Sequence, residues 1–448
     1  MENAETRTDF FGMTISQRDA FMARDDIKEF ATRLRELGKQ NRSVSGADLG
    51  IPTVMLDMLR SNINEYSKLV AHVMLRKLKG KARQTIAGTV PEAVWTEAIA
   101  NLNELNIVFT QLEVDGYKVG GFIAIPNSLL EDDEDVDLLQ YVITLMGQAI
   151  GKAVDKAIIY GDGSKKPVGI VTRLAAESQP SWWGSNQGDF TDLHSSNIKK
   201  LNIGANNGVA FFQELIVNMA IADPEYSMSE KPIWVMSRKT HMDIMSRALD
   251  FNAAAALMAG FESTFPVVGG DVIELNFMPD YEIVGGYFDD YLLVERAGAN
   301  IRSSDIPMMV QDQTLVTATQ RYDGKPSRGE AFVIINYKNV AATTSKTFET
   351  DYANTEIGTL GVTCAANADT SGKTDVTVTG ATSGATLKYK TAGEAIEVAN
   401  GKKIGTGWTT IESGGAVTAA AGVVITVVEI NSDSRAVKVG NAVSVPKA

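Results

Sequence analysis

The residues that first invite a chemical reading are Gly161-Asp162-Gly163-Ser164-Lys165-Lys166, glycines and lysines of the kind that cradle phosphate. A phosphate loop needs G-x-x-x-x-G-K-[ST] between a strand and a helix whose N-terminus faces the anion. Here the glycines follow a segment with helical apolar spacing, at the end with the wrong dipole sign, and Pro167 comes next. A helix C-cap fits that order better. The acidic run Glu131-Asp132-Asp133-Glu134-Asp135 offers oxygens to a cation. It also leads directly into the same segment, where carboxylates complement the dipole of a first helical turn. The histidines His72, His194 and His241 are solitary, and no H-E-x-x-H, C-x-x-C or G-x-S-x-G motif occurs. Trp182-Trp183 offers a ligand platform, but an aromatic patch that anchors a loop or a subunit contact is the commoner outcome. No catalytic, cofactor-binding or metal-ligating residue is assigned, no cofactor is expected, and an enzyme is the weakest functional class.

The rest of the composition narrows the classes further. The chain has 448 residues, 44% hydrophobic and 22% charged, enough for two or three globular domains with their own cores. No apolar run approaches the roughly eighteen residues of a membrane span. The polar start Met1-Glu2-Asn3-Ala4-Glu5 does not resemble a signal peptide, so no membrane partner is expected. Cys364 is the single cysteine, which excludes an intramolecular disulfide and fits folding in a reducing cytoplasm. A net charge of −13 argues against the whole molecule as a nucleic-acid binder. Residues 356–448 hold eight Lys/Arg and eight Asp/Glu, so residues 1–355 carry all of the excess. Against that acidity stands a basic run, Arg76, Lys77, Lys79, Lys81 and Arg83. It can touch phosphates, or meet acidic neighbours such as Glu131 to Asp135 on another subunit; the second reading is favoured.

The elements that position these residues begin with a rod. From Val136 to Tyr160, apolar residues fall at Val136, Leu139, Ile143, Met146, Ile150, Val154, Ala157 and Ile158, one stripe of a helix. At 1.5 Å per residue that is a rod of roughly 37 Å, well above the usual helix length. Upstream, residues 14–38 read as a capped helix ending at Gly38, and Pro52 opens a second short helix. Residues 75–122 are alternating and turn-rich, with strand character at Ile107-Val108-Phe109, Leu112 and Val114, and predict a long two-stranded excursion. Residues 171–205 read as irregular. From 206 to 320 the pattern predicts helices at 208–222 and 239–249, and strands near 232–236, 272–275, 281–284 and 291–294. A closing strand follows at 331–335.

After about Asn354 the texture turns to Thr, Gly, Ala and Val in short alternating runs, such as 374–379, 386–389 and 423–429. Turn signals separate them every 8 to 12 residues or so, the signature of a small β-sandwich. Trp408 is the only tryptophan there, and the Cys…Trp…Cys spacing of antibody domains is absent.

In this order the chain resembles the major capsid protein of tailed bacteriophages, with the Hong Kong 97-type fold. The likeness is carried by Gly46 to Pro52, Trp95-Thr96-Glu97, Ile123 to Asp132, and Gly161-Asp162-Gly163 with Pro167 to Ile170. Further on it is carried by Phe277-Met278-Pro279, Gly285 to Tyr291, Arg321 to Gly324 and Glu330-Ala331-Phe332. It spans roughly residues 45–343.

The resemblance implies an α+β fold made of an N-terminal arm (1–52), a peripheral domain (53–74 and 121–200) with a spine helix at 136–160, and an extended loop (75–120). An axial domain (201–320) and a return to the peripheral domain (321–355) would follow, with an all-β immunoglobulin-like sandwich (356–448) appended. It implies self-assembly through pentamers and hexamers into an icosahedral shell around double-stranded DNA, without specific DNA binding. Portal and scaffolding or decoration proteins are the other implied partners. A net acidic wall suits DNA that must slide during filling. With only about 45 residues ahead of the arm motif, no long cleaved N-terminal segment is expected. Some relatives form a Lys–Asn crosslink; Lys79, Lys81 and Asn339 are available, but no crosslink is expected. The alternatives are an encapsulin-like compartment and a bacterial surface adhesin; the missing signal peptide counts against the adhesin.

Overall fold

The computed structural model describes residues 66–78, 82–87, 109–114, 116–126, 137–184, 189–206, 208–223, 231–251, 264–265, 269–296, 300–304 and 312–447. The expected helices at 14–38 and from Pro52, the arm motif, Trp95-Thr96-Glu97 and the acidic run at 131–135 lie outside these residues. The chain divides into two compact units, Met1–Lys346 and Thr347–Ala448.

Two sheets organise the first unit. In one, strand β4 (Tyr117–Pro126) runs antiparallel to the long β11 (Gln313–Pro326) from Tyr117↔Tyr322 to Pro126↔Gln313. β9 (Tyr291–Arg296) and β10 (Asn300–Ser304) also pair with β11, and β1 (Met74–Leu78) joins β9 in parallel. β11 alternates first, with Thr314, Val316, Ala318 and Gln320 inward, and is then buried on both faces from Tyr322 onward, where β9 pairs with it. β2 (Ala82–Ala87) and β3 (Phe109–Val114) form a separate two-stranded ribbon. The ribbon is the middle of the excursion read over 75–122; the two ends of that range, in β1 and β4, pair in the first sheet instead.

The second sheet has the order β5 (Ile198–Lys200), β12 (Phe332–Asn336), β8 (Glu282–Gly286), β6 (Ile233–Met236), β7 (Asp271–Glu274). β6, β8 and β12 are wholly buried, as continuous apolar strands in the middle of a covered sheet should be. Helix α4 (Gly208–Met219) and helix α5 (Arg238–Phe251) contribute Phe211, Phe212, Leu215, Met219, Ile244 and Ala248 to the core over it, with Trp234, Met236 and Ile335 of the sheet.

The expected segmentation does not follow these sheets. β9 and β10, read as part of 201–320, pair with β11 and belong with β1 and β4. β12, read as part of a return segment, is the central neighbour of β8 in the other sheet. Alternation reports which face of a strand is buried, not which strand lies beside it.

Helix α1 (Asp137–Tyr160) matches the expected rod to within a residue, and packs against β4 and β11. Among its described side chains Val142, Met146, Ile150, Val154, Ala157 and Ile158 are buried. The stretch read as irregular contains α2 (Ile170–Ala175), with Ile170, Val171 and Leu174 buried, and the short α3 (His194–Asn197).

The second unit is built of two facing sheets. One has the order β13 (Gly358–Thr359), β20 (Ala436–Val443), β19 (Val424–Ile430), β16 (Thr386–Ala392), β17 (Thr409–Ile411). The other is β14 (Gly361–Ala366), β15 (Lys373–Thr379), β18 (Gly415–Thr418). Val376, Val378 and Val417 from the smaller sheet meet Leu387, Ile411, Ile425 and Val427 from the larger. A second core, absent from the sequence reading, gathers Val398, Ile404, Val428, Ile430 and Ala436. The unit begins at Thr347, ahead of the expected 356, because Asn431 donates to the Tyr352 hydroxyl (2.7 Å) and Asn400 to the Thr355 carbonyl (2.9 Å).

Candidate assembly surface

The singled-out residues scatter. His72 is exposed on the turn before β1, His194 sits at the surface 3.7 Å from Glu177, and His241 is buried on α5 with its Nδ1 2.8 Å from Glu274 Oε1. The glycine-rich stretch is a tight turn after α1. Asp162 accepts from Ser164 N and Lys166 Nζ, both at 2.8 Å, and Gly169 N donates to Gly161 O at 2.7 Å. Asp162 supplies the anion that holds Lys166, so the turn closes on itself. The tryptophans serve as anchors: Trp183 and Phe190 stack on the buried Arg173 guanidinium, with centroids 4.9 and 4.6 Å from its carbon. Arg173 Nη2 donates to the Thr191 carbonyl at 3.0 Å. Burial pushes the Arg173 pKa down, opposed by the charges of Glu330 and Asp192. Of the basic run, Arg76 and Lys77 are exposed on β1, and Arg83 lies on β2. Asn339 is exposed in a left-handed turn with φ 60°.

Two buried carboxylates brace α1, and the sequence reading missed both. Asp155 accepts from Ser67 Oγ at 2.6 Å and from the backbone N–H of Lys68 and Leu69 at 3.0 and 3.1 Å. Ser67 Oγ in turn accepts from Val70 N at 3.1 Å. This fixes the turn that feeds β1, with Leu69 and Val70 packed inward. Burial raises the Asp155 pKa above its ordinary 3.8, against the lowering effect of the three hydrogen bonds and the Lys68 charge. The only sequence signal was a carboxylate beside an apolar stripe. At the last residue of the rod, Tyr160 donates to Glu282 Oε1 at 3.3 Å, and Glu282 Oε2 accepts from Thr343 N at 3.0 Å. Glu282 is fully buried on β8, and burial raises its pKa despite those bonds.

Large apolar side chains are left open on α1 and β4. Phe122 on β4 is 62% exposed and Tyr141 on α1 60%, with Leu145 one turn further on. The ribbon β2–β3 pairs with no third strand among the described residues. A two-stranded ribbon is marginal in water, and large exposed aromatics mark a surface that another molecule covers. Among the described residues no cluster of three or more His, Cys, Asp or Glu side chains is placed to hold a metal ion; they hold a braced rod, a long sheet and a two-stranded ribbon.

The sequence model of the phage capsid family matches residues 47–337. The chain belongs to that family. As a capsid protein it is a structural component of a virion that assembles with its own copies into an icosahedral shell. The match ends where β12 ends and leaves the second unit outside. No curated protein matches the chain. Among solved structures, the capsid of the native GTA particle is similar at 19% identity, with a TM-score of 0.44 over 61% of this chain and 90% of that one. Mycobacterium phage Bobi gives 12% identity and a TM-score of 0.43 over 60% and 90%. The virus-like particle from Pyrococcus furiosus gives 11% and 0.39 over 63% and 98%. With these TM-scores below 0.5, membership in the family rests on the sequence model.

Proposed function

We propose that the capsid protein forms the pentamers and hexamers of a tailed-phage head that encloses double-stranded DNA. The observation that carries this reading is the family match joined to a braced rod and an unpartnered ribbon. Such parts gain their stability on neighbours, so folding energy becomes assembly energy. In Hong Kong 97-type terms, residues 1–52 belong to an N-terminal arm and β2–β3 to an extended loop. The first sheet with α1 is then the peripheral domain, and the second sheet with α4 and α5 the axial domain. The acidic first unit leaves the DNA free to slide, while a portal and a scaffolding or decoration protein complete the head. The second unit is an immunoglobulin-like domain that faces outward, stabilises the shell or adheres weakly to host surfaces.

Electron microscopy of the purified chain at assembly concentrations tests this. Closed shells with surface knobs are expected. Shells that carry a protein cargo and exclude DNA in the infected cell would replace the head by a compartment. Persistent monomers in the presence of the phage's other head proteins would overturn the reading. Deleting residues 347–448 should leave shells intact; loss of shells would show the unit to be part of the wall.

A further inference from the structure

The geometry points to a carbohydrate-binding cleft in the second unit, between the segment before β13 and the turn at Ala399-Asn400. This inference deepens the adhesive reading of that unit and rests on it. The cleft has a volume of ≈ 510 Å³ and is lined by Tyr352, Thr355, Glu356, Ile357, Ala399 and Asn400. That lies within the range of small-molecule sites.

The lining is held in place before any ligand arrives. The Tyr352 hydroxyl accepts from Asn431 Nδ2 at 2.7 Å, and Gly401 packs against the ring, where a Cβ would come within 2.5 Å of it. Arg435 lies 5.8 Å from the ring centroid, with Nη1 fixed on the Gly401 carbonyl at 3.0 Å. Asn400 Nδ2 donates to the Thr355 carbonyl at 2.9 Å, which leaves the amide one acceptor oxygen and one further N–H. The Thr355 hydroxyl donates to the Asp351 carbonyl at 2.7 Å. Glu356 is exposed and, among the described residues, is in no ion pair. A rigid aromatic ring, an amide and an unpaired carboxylate around one cleft suit a ligand with C–H faces and many hydroxyl donors. A neutral pyranose has both. The Glu356 carboxylate at the same wall disfavours an anionic ligand.

The test is saturation-transfer NMR on the full-length chain or its shells, with methyl hexopyranosides and short neutral oligosaccharides as probes. Transfer to ring C–H protons is expected, together with at least about fivefold weaker binding in Glu356→Ala and in Asn400→Ala, the loss of one hydrogen bond each. Glu356 is exposed, so Glu356→Ala should melt with the parent, whereas Asn400→Ala also loses its bond to the Thr355 carbonyl and should melt lower. Absence of transfer, or transfer unchanged in both variants, would overturn the cleft. Adsorption of whole particles to host cells separates this from the parent reading. If adsorption falls on deleting 347–448 but not in Glu356→Ala, the unit adheres elsewhere and the cleft is refuted; if neither change matters, the adhesive reading fails as well.

Discussion

Asp155, near the C-terminal end of the long helix, accepts a 2.6 Å hydrogen bond from Ser67, a residue 88 positions earlier in the chain. With the two N–H groups beside it, that bond joins the rod to the turn from which β1 departs. Replacing Asp155 by Ala would leave one hydroxyl and two backbone donors buried without an acceptor. We expect a loss of about 2–4 kcal/mol, read by chemical denaturation, with shells forming poorly or not at all. Asp155→Asn keeps an acceptor oxygen and should lose much less.

The same carboxylate sets a pH dependence. Its folded pKa lies above the ordinary 3.8, so protonation favours the folded state. Its contribution is therefore fullest below about 3.8 and is lost as pH rises through the folded value. Measured between neutral pH and pH 4, parent stability relative to Asp155→Asn should increase as the pH falls. A flat difference would mean that the carboxylate is not desolvated as the fold places it.

Glu282 ties the end of the rod to the strap that leaves the second sheet. Tyr160→Phe removes one long hydrogen bond and should cost about 1 kcal/mol, while Glu282→Leu leaves the Thr343 N–H and Tyr160 hydroxyl unmatched and should cost about 2–3 kcal/mol. A double-mutant cycle in thermal or denaturant unfolding would measure their coupling.

The turn after the rod is a matter of backbone closeness. A Cβ at Gly161 would stand 2.1 Å from the Pro167 carbonyl oxygen and one at Gly169 2.5 Å from Gly161 N. Either change to Ala should destabilise by at least about 2 kcal/mol. Gly121→Ala, with nothing within 4 Å of the new carbon, serves as the neutral control. Lys166→Ala should change stability by less than about 0.5 kcal/mol, since its partner Asp162 is half in solvent.

The exposed aromatics test assembly apart from folding. Phe122→Asp and Tyr141→Asp should leave the melting of the isolated subunit unchanged. Each should raise the concentration needed for shells by about tenfold or more, followed by sedimentation and microscopy. Wild-type assembly in both variants would show that other faces make the contacts.

The sequence by itself determined many of the features that depend on local periodicity or turn chemistry, though not α2 or the long β11. The helix at Asp137–Tyr160, the strands at 233–236, 291–296 and 332–336, and the two-stranded excursion fall where spacing and glycine turns put them. So does the change of texture into the second unit. The ordered motifs from Gly46 to Phe332 were enough for the family.

Tertiary structure decided who neighbours whom. That β12 sits beside β8 while β9 and β11 sit in the other sheet is a long-range pairing, invisible to an alternation that reports only inside and outside. The second core of the C-terminal unit, Val428 with Val398 and Ile404, likewise needs the loop that covers it. Asp155 and Glu282 read in the sequence as ordinary acids. Only the fold brings Ser67 and Thr343 to them, because a buried carboxylate persists when donors distant in the chain converge on it.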